Sequence, residues 1–299
     1  MMQCFSTQRS LSFLIVLLLA GGCGQTQSTL PNPSTTSGDI ATENATTLQT
    51  ATKIVALTSL SADIIARLDA TKLVGVPGNR LLANNPVFQD LPKVSEGQTP
   101  PNLEKIVALE PDLVIGATGF HDQVLAKLEA VGIPTLATSV PNWRSLEDLT
   151  QNLAARIQAD PAPLLQSYAQ CVPRTAPPND STLVLVSNQP ILAPNKDSWA
   201  GDLLERFQLN NLVADLQGDS PQRGYVTLSP EKILTANPEV LILVDVGDGS
   251  INQLKSAPFW KDLAAVKNDR IYTFDYYGLV NPGGIDSIQS TCEKLQNIT

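Results

Sequence analysis

Two stretches decide how this chain folds: residues 102–113, NLEKIVALEPDL, and residues 229–240, SPEKILTANPEV. Both carry Glu-Lys-Ile, a proline six residues after the lysine, an acid, and then an apolar run. Each reads as a capping residue (Asn102, Ser229), a short helix, and a buried strand over residues 113–115 or 240–244. Pro230 suits a first helical position, while Pro111 and Pro238 end their helices where the chain turns into the strand. Leu103, Ile106 and Val107 are expected on one helix face, as are Ile233 and Leu234, which leaves Glu104 and Glu231 toward solvent. A duplicated α/β unit implies two similar lobes, and two lobes create a cleft.

The chain's 299 residues suffice for a core in each of two lobes. The formal charge is -9 and the basic residues form no run or stripe, so nucleic acid is excluded as a partner. With one histidine, His121, and neither Cys-x-x-Cys nor His-Glu-x-x-His, the sequence holds no zinc pattern. Neither a resident metal nor a cofactor is expected.

Residues 1–22 open with Arg9, continue through an uncharged run at 11–20, and end Leu19, Ala20, Gly21, Gly22 before Cys23. This pattern predicts a secretory signal, too short to span a bilayer comfortably. The small residues before Cys23 resemble a bacterial lipoprotein signal, in which that cysteine is lipidated; an ordinary cleaved signal is the alternative. Residues 23–51, rich in Gln, Ser, Thr, Asn and Pro, bury too little to fold and predict a disordered tether. The N-terminal α/β lobe is expected over 52–143, a helical linker over 144–180, and the C-terminal α/β lobe over 181–299. Within the linker, Leu146, Leu149, Leu153 and Ile157 predict a helix over 145–158, which residues 160–163 break before a second helix at 164–171. In the second lobe a strand at 183–186, a helix at 200–207 and a strand at 211–213 precede the second copy of the unit. A strand at 271–274 and a closing helix with Ile285, Ile288, Cys292 and Leu295 follow it. Once Cys4 is removed and Cys23 acylated, Cys171 and Cys292 are the remaining thiols and could form a disulfide; two buried thiols are the alternative.

Several segments together, KIVALTSLSADI with LVGV, LPKV with PNLEKIVALEPDLVI, SWAGDLLERFQLNNLVAD, GYVTLSPEKILTANPEVLIL and AAVKNDRIYTFD, resemble one known family. It is the iron-siderophore and vitamin B12 family of ABC-importer substrate-binding proteins. The resemblance runs from Lys53 to about Ile298. It implies a class III periplasmic binding protein: two Rossmann-like lobes over 52–299 joined by a connecting helix. It implies no enzymatic activity, but capture of a ferric siderophore, cobalamin or heme-like chelate in the cleft and delivery to a dimeric ABC permease. The protein is expected to be a monomer held at the outer face of the membrane by its lipid. Glu104 and Glu231 would meet arginines on the two permease halves. Two departures stand out: Glu96, Gly97, Gln98 and Thr99 occupy the place where some B12 binders carry a tryptophan, and residues 281–284 lack an arginine common in relatives.

Open α/β sheets bind ligands at the carboxyl ends of their strands. Loops there nominate Asn79, Arg80, Phe120, His121, Trp143, Trp199, Arg223, Tyr225, Tyr276 and Tyr277. Tyr225 leads, because relatives place an aromatic ligand contact at its position, and Trp199 is the weakest. Arg80 and Arg223 could grip a carboxylate or catecholate in bidentate fashion, or be solvated surface charges. His121 reads as an exposed loop residue ahead of a metal or heme contact. The rival reading, an exported hydrolytic or other enzyme using the same cleft, lacks a Gly-x-Ser-x-Gly elbow, a Walker loop, or Gly-x-Gly-x-x-Gly after the first strand.

Overall fold

A computed structural model describes residues 50–97, 99–175, 179–217, 220 and 223–298. The expected signal peptide, Cys23 and the tether to residue 49 lie outside the described residues. Thr50 and Ala51, assigned to the tether, belong to the folded body. Ala51 is buried and donates its N–H to the Arg156 carbonyl at 2.8 Å, and Gln158 Nε2 donates to Thr50 Oγ1 at 2.8 Å.

The N-terminal lobe runs β1 (Ile54–Ala56), α1 (Ser59–Asp69), β2 (Leu73–Gly78), α2 (Arg80–Ala83), α3 (Pro86–Gln89), β3 (Lys93–Glu96), α4 (Leu103–Ala108), β4 (Leu113–Ala117), α5 (Asp122–Ala130) and β5 (Thr135–Thr138). Helices α6 (Trp143–Ile157) and α7 (Ala162–Tyr168) connect it to the C-terminal lobe. That lobe continues β6 (Ser181–Leu185), β7 (Ile191–Pro194), α8 (Trp199–Arg206), β8 (Asn210–Asn211), β9 (Tyr225–Leu228), α9 (Pro230–Ala236) and β10 (Val240–Asp245). It closes with α10 (Ser250–Lys255), α11 (Ala264–Lys267), β11 (Ile271–Asp275), the kinked turn α12 (Tyr276–Leu279) and α13 (Ile285–Leu295).

The first sheet is parallel throughout in the order β3-β2-β1-β4-β5, and the second is parallel in the order β11-β10-β6-β8. In each the chain winds outward from its first strand, then returns to that strand's other side. The two repeated stretches are the helix and strand that begin this return, α4–β4 and α9–β10. The boundaries β1/β4 and β6/β10 are therefore switch points, where the flanking loops diverge and a crevice opens.

Side chains alternate along these strands between two cores. Ile54 and Ala56 of β1, Leu113 and Ile115 of β4, Val184 of β6, and Val240, Ile242 and Val244 of β10 enter one cluster that runs through both lobes and takes in the apolar stripe of α6. The intervening Val55 and Val114 pack with Ile106 and Leu125 in a core private to the first lobe. Leu183, Leu185, Leu241 and Leu243 do the same with Ile233 and Trp260 in the second. Covering both faces explains why the strands read as continuous apolar runs. The shared cluster fuses the lobes into one body.

The repeat's acid has a structural role. Asp112 accepts the N–H groups of Thr52 (2.8 Å) and Lys53 (3.0 Å) just before β1, and Glu239 accepts the N–H of Ser181 (2.8 Å) at the start of β6. Each carboxylate thus staples the strand that opens a lobe to the strand beginning the return. The residue before each repeat proline, Glu110 (φ 48°) or Asn237 (φ 41°), is left-handed, consistent with the bar on right-handed helix ahead of proline. Val107 and Leu234 depart from the expected helix face. Both are exposed while Ile106 and Ile233 are buried, because one residue further along a helix turns about 100° away from the sheet.

In α6, Asn142 and Ser145 cap one another's backbone, so the helix starts at Trp143, earlier than its apolar spacing predicts. Gln158, left-handed, ends it, and Ala162 N donates to Asp160 Oδ1 at 2.9 Å as α7 begins. Cys171 and Cys292 are disulfide-bonded with Cα atoms 5.2 Å apart, joining the linker to α13. A second tie comes from α1. Asp63, buried, accepts the N–H of Ile285 at 2.6 Å and so caps α13, whose own N-cap is Gly284. Arg67 bridges Asp63 (2.9 Å) to Asp286 (2.7 Å). The expected strand at 211–213 shortens to β8, because the Asn211 side chain accepts the Val213 N–H at 3.1 Å and closes a turn. One antiparallel pair, β7 with β9, has no counterpart in the first lobe's sheet and is absent from the sequence reading.

Candidate functional site

A cavity of about 600 Å³ lies over the β1/β4 switch point, lined by Thr58 and Ser59 after β1 and by Ala117 and Thr118 at the end of β4. A second, of about 880 Å³, lies over the β6/β10 switch point, lined by Val186 and Ser187 after β6 and by Val246 after β10. They share Phe120, Ser139, Val140, Asn281 and Pro282, so they adjoin as one cleft between the lobes. Each alone falls in the range of roughly 300–1,000 Å³ usual for small-molecule sites.

Eight of the ten residues nominated for the cleft line it: Asn79, Phe120, His121, Trp199, Arg223, Tyr225, Tyr276 and Tyr277. Phe120 is 89% exposed and stands where the two cavities meet. Its loop is shaped by Asp122, which accepts the Gly119 N–H with both oxygens at 3.0 Å. Tyr225 leads β9 and is half-buried against the shared core. Burial pushes its hydroxyl's pKa up, with Tyr276 adding to the effect, so it stays a neutral phenol. Tyr276 and Tyr277 meet edge to face with ring centroids 5.3 Å apart, Tyr276 lining the second cavity and Tyr277 the first. Burial also raises the Tyr276 pKa, against a lowering hydrogen bond with Asn281. The Asn79 side chain accepts from Leu81 and Leu82 N–H groups at 3.1 and 3.3 Å and caps α2.

Two expected ligand contacts are placed elsewhere. Trp143 is 4% exposed and belongs to the shared core. The cap at Asn142 turns it into the first helical residue, and its ring stacks on Trp199 (centroids 5.9 Å, 16° between planes) beneath the Arg206 guanidinium at 4.2 Å. Its N–H donates to Asp202 at 2.7 Å and its indole nitrogen to Glu147 at 3.0 Å. Arg80 is exposed at the start of α2 with its guanidinium 5.4 Å from the Tyr277 ring centroid, and lines neither cavity. Trp199, ranked weakest, does line the second cavity, anchored by its indole N–H to the Gly278 carbonyl at 2.8 Å.

His121 is half-buried in the first cavity's lining, a correction to the exposed loop residue expected. Its Nδ1 accepts the Ala117 N–H at 2.9 Å, which puts the proton of the neutral ring on Nε2, and burial lowers its pKa. Among the described residues no three His, Cys, Asp or Glu side chains converge to hold a metal ion. Glu104 and Glu231 are both exposed in the first turns of α4 and α9, and Ser229 holds the Glu231 pKa down.

The sequence reading missed Asn281 and Pro282, which line both cavities, and Ser139 to Asn142 across the second. The turn at 281–284 is visible as Asn-Pro-Gly-Gly, but what brings it to the cleft is the packing of α12 on α13. The alternation in Tyr225, Val226, Thr227 and Leu228, in which only Val226 and Leu228 are fully buried, was the available signal for β9.

The sequence profile of the periplasmic binding protein family matches residues 54–277. YvrC, an ABC transporter substrate-binding lipoprotein of Bacillus subtilis, itself uncharacterized, is 24% identical over 315 aligned positions, covering 96% of this chain and 95% of the relative. A vitamin B12-binding protein of Vibrio campbellii is 25% identical across 70% of this chain and 77% of its own length. The solved structure of the petrobactin-binding protein YclQ of Bacillus subtilis aligns with a TM-score of 0.69 at 20% identity, covering 83% of this chain and 92% of that chain. Among the described residues no helix is long and apolar enough to cross a membrane.

Proposed function

The chain belongs to the periplasmic binding protein family, and from that membership we propose that it captures a metal chelate between its lobes and delivers it to the permease of an ABC importer. Ferric siderophores, cobalamin and heme-like chelates are the candidate classes. One observation carries the reading: the two switch points face each other across a cleft to which both lobes contribute aromatic side chains, Phe120 and Tyr225 foremost. Such faces hold a large ring or chelate with little rotamer entropy to lose. In this reading the protein is not an enzyme. Cys23 carries a lipid, residues 24–49 form the tether, and the monomeric body works outside the cytoplasmic membrane. The name of the Bacillus subtilis relative, a lipoprotein, supports this. Glu104 and Glu231, exposed at matching places in the repeat, are the docking charges for the two halves of the permease.

The test is calorimetric titration of the purified protein with ferric siderophores, cobalamin and hemin, followed by mass analysis of the recovered ligand. One chelate is expected to bind in a one-to-one complex and to be recovered unchanged. Chemical turnover of the chelate without a stable complex would carry the enzyme reading instead.

A further inference from the structure

The two cavities differ in charge, and their sum is close to zero. Among the described residues lining the first cavity there is no Asp, Glu, Lys or Arg; its polar surface is hydroxyl and amide, from Thr58, Ser59, Ser95, Thr118, Thr138 and Asn79. His121 adds no charge near neutral pH, because burial lowers its pKa and Nδ1 is committed as an acceptor. The second cavity holds Lys196 and Arg223 against Asp197 and Asp202. Lys196 is already paired, with Asp215 at 2.6 Å, and Asp202 accepts the Trp143 N–H. Arg223 is the remaining cation.

Helix ends add little. A helix N-terminus presents about half a positive charge, and those of α5 and α8 carry their own first-turn acids, Asp122 and Asp202. Those of α1, α2 and α6 carry no acid in their first turns, but α6 gives its first N–H to Asp202 and the four-residue α2 is capped by Asn79, which leaves α1, opening at Thr58 and Ser59 into the first cavity. Arg223 and the α1 terminus together could balance about one anionic group. Three would enter a half-enclosed cleft without partners, against the desolvation cost of unpaired charge and the repulsion of a chain whose formal charge is -9.

We propose that the cleft takes a chelate of low net charge, neutral or singly anionic, and discriminates against multiply anionic chelates. The inference rests on the substrate-binding reading above and narrows its ligand class. A ferric trihydroxamate or a cobalt corrin meets the criterion, since metal and ligand charges cancel within the complex. A ferric tricatecholate, left with three negative charges, does not.

The experiment is a fluorescence titration, using the intrinsic tryptophan and tyrosine emission, with three probes at low and high salt: the neutral trihydroxamate ferrichrome, cyanocobalamin, and a trianionic ferric tricatecholate. At least one neutral probe is expected to bind, its dissociation constant moving by less than about threefold between 0.01 and 0.5 M salt, since screening acts on net charge. The tricatecholate is expected to bind at least about a hundredfold more weakly, a loss of about two powers of ten in the binding constant. Thr118→Lys, at an exposed position of the uncharged half, should raise the tricatecholate's affinity relative to that of the neutral probe. A tricatecholate that binds tightest, with affinity falling steeply as salt rises, would overturn the charge inference and leave the substrate-binding reading standing. Failure of all three probes to bind would overturn the charge inference, and failure of hemin as well would overturn the substrate-binding reading.

Discussion

The two halves of the cleft occupy the same place over two similarly wound sheets, yet they present opposite chemistry. The β1/β4 half offers hydroxyls and amides beside Phe120 and Tyr277 but no charge; the β6/β10 half offers Tyr225, Tyr276 and Trp199 together with every charged side chain in the described lining. Part of the difference traces to β7 and β9, the antiparallel pair that delivers Tyr225 and Arg223 and lies outside the parallel sheet. What the lobes retain in common faces inward or sits at strand starts: Ile106 and Ile233 in the private cores, Asp112 and Glu239 as staples. Packed cores tolerate little change and the staples fix where strands start, whereas loops at strand ends answer only to the ligand. The repeat therefore marks where the lobes are built alike, and the site lies where they differ.

The largest effect should come from breaking the support of the aromatic half. Trp143 fills the joint between α6 and α8, and its ring backs Trp199. Trp143→Ala is expected to cost about 3–5 kcal/mol of folding stability, read from urea unfolding, by loss of buried area plus the cavity left behind. A cost below about 1 kcal/mol would match a surface residue and undo the core placement. Next in size is the contrast between the halves. Tyr225→Ala should weaken binding of the chelate identified by titration by about tenfold or more, as loss of a buried aromatic contact does. Thr118→Ala, which removes one hydroxyl from an exposed position, should cost less. Equal losses would mean that the aromatic half does not dominate binding.

The fold was legible because periodicity reports burial. Continuous apolar runs at residues 54–57, 113–115 and 240–244 required sheets covered on both faces, and the repeat required two lobes. The site was legible only where a loop residue sits beside a strand end, as with Phe120, Tyr276 and Tyr277. Trp143 was misplaced because its position follows from a reciprocal cap between Asn142 and Ser145 that shifts the helix start by two residues from the expected 145. Asn281 and Pro282 were missed for a different reason. Their approach to the cleft depends on Gly278, whose positive φ and lack of a side chain that would collide with the Ser287 carbonyl set the path of the chain, and such long-range packing leaves no local pattern.

The outer rim sharpens the comparison from the other side, since there the halves should act alike. Glu104 and Glu231 are exposed at equivalent positions of α4 and α9, and each complements its helix terminus. If they serve only that purpose, the double change Glu104→Ala with Glu231→Ala leaves transport untouched. If they meet bases on a two-fold permease, it slows ligand uptake by reconstituted vesicles by roughly two- to tenfold and flattens its salt dependence, as loss of rim charges does. Ligand affinity of the isolated protein should stay the same in either case. In that second case each single variant should show a similar part of the effect, because the two glutamates sit at matching places of the repeat.

The smallest expected effect concerns His121, which ties the uncharged half to pH. Burial lowers its pKa from the ordinary value of about 6.5, and its Nδ1 accepts the Ala117 N–H that shapes the loop bearing Phe120. The sign follows from proton counting. As pH falls through the ordinary value, the unfolded chain takes up a proton before the folded one, so between the two pKa values the unfolded state binds more protons and stability rises with pH. The contribution is thus complete above about pH 6.5, declines as pH drops toward the folded pKa, and is constant below it. Protonation within the folded state would also set an Nδ1 proton against the Ala117 N–H, donor facing donor, and loosen the loop where the two cavities meet. Urea midpoints at pH 7.5 and 5.5 should therefore differ more for the native chain than for His121→Gln, which cannot titrate. Equal differences in the two proteins would show that His121 holds its proton with the same affinity folded and unfolded.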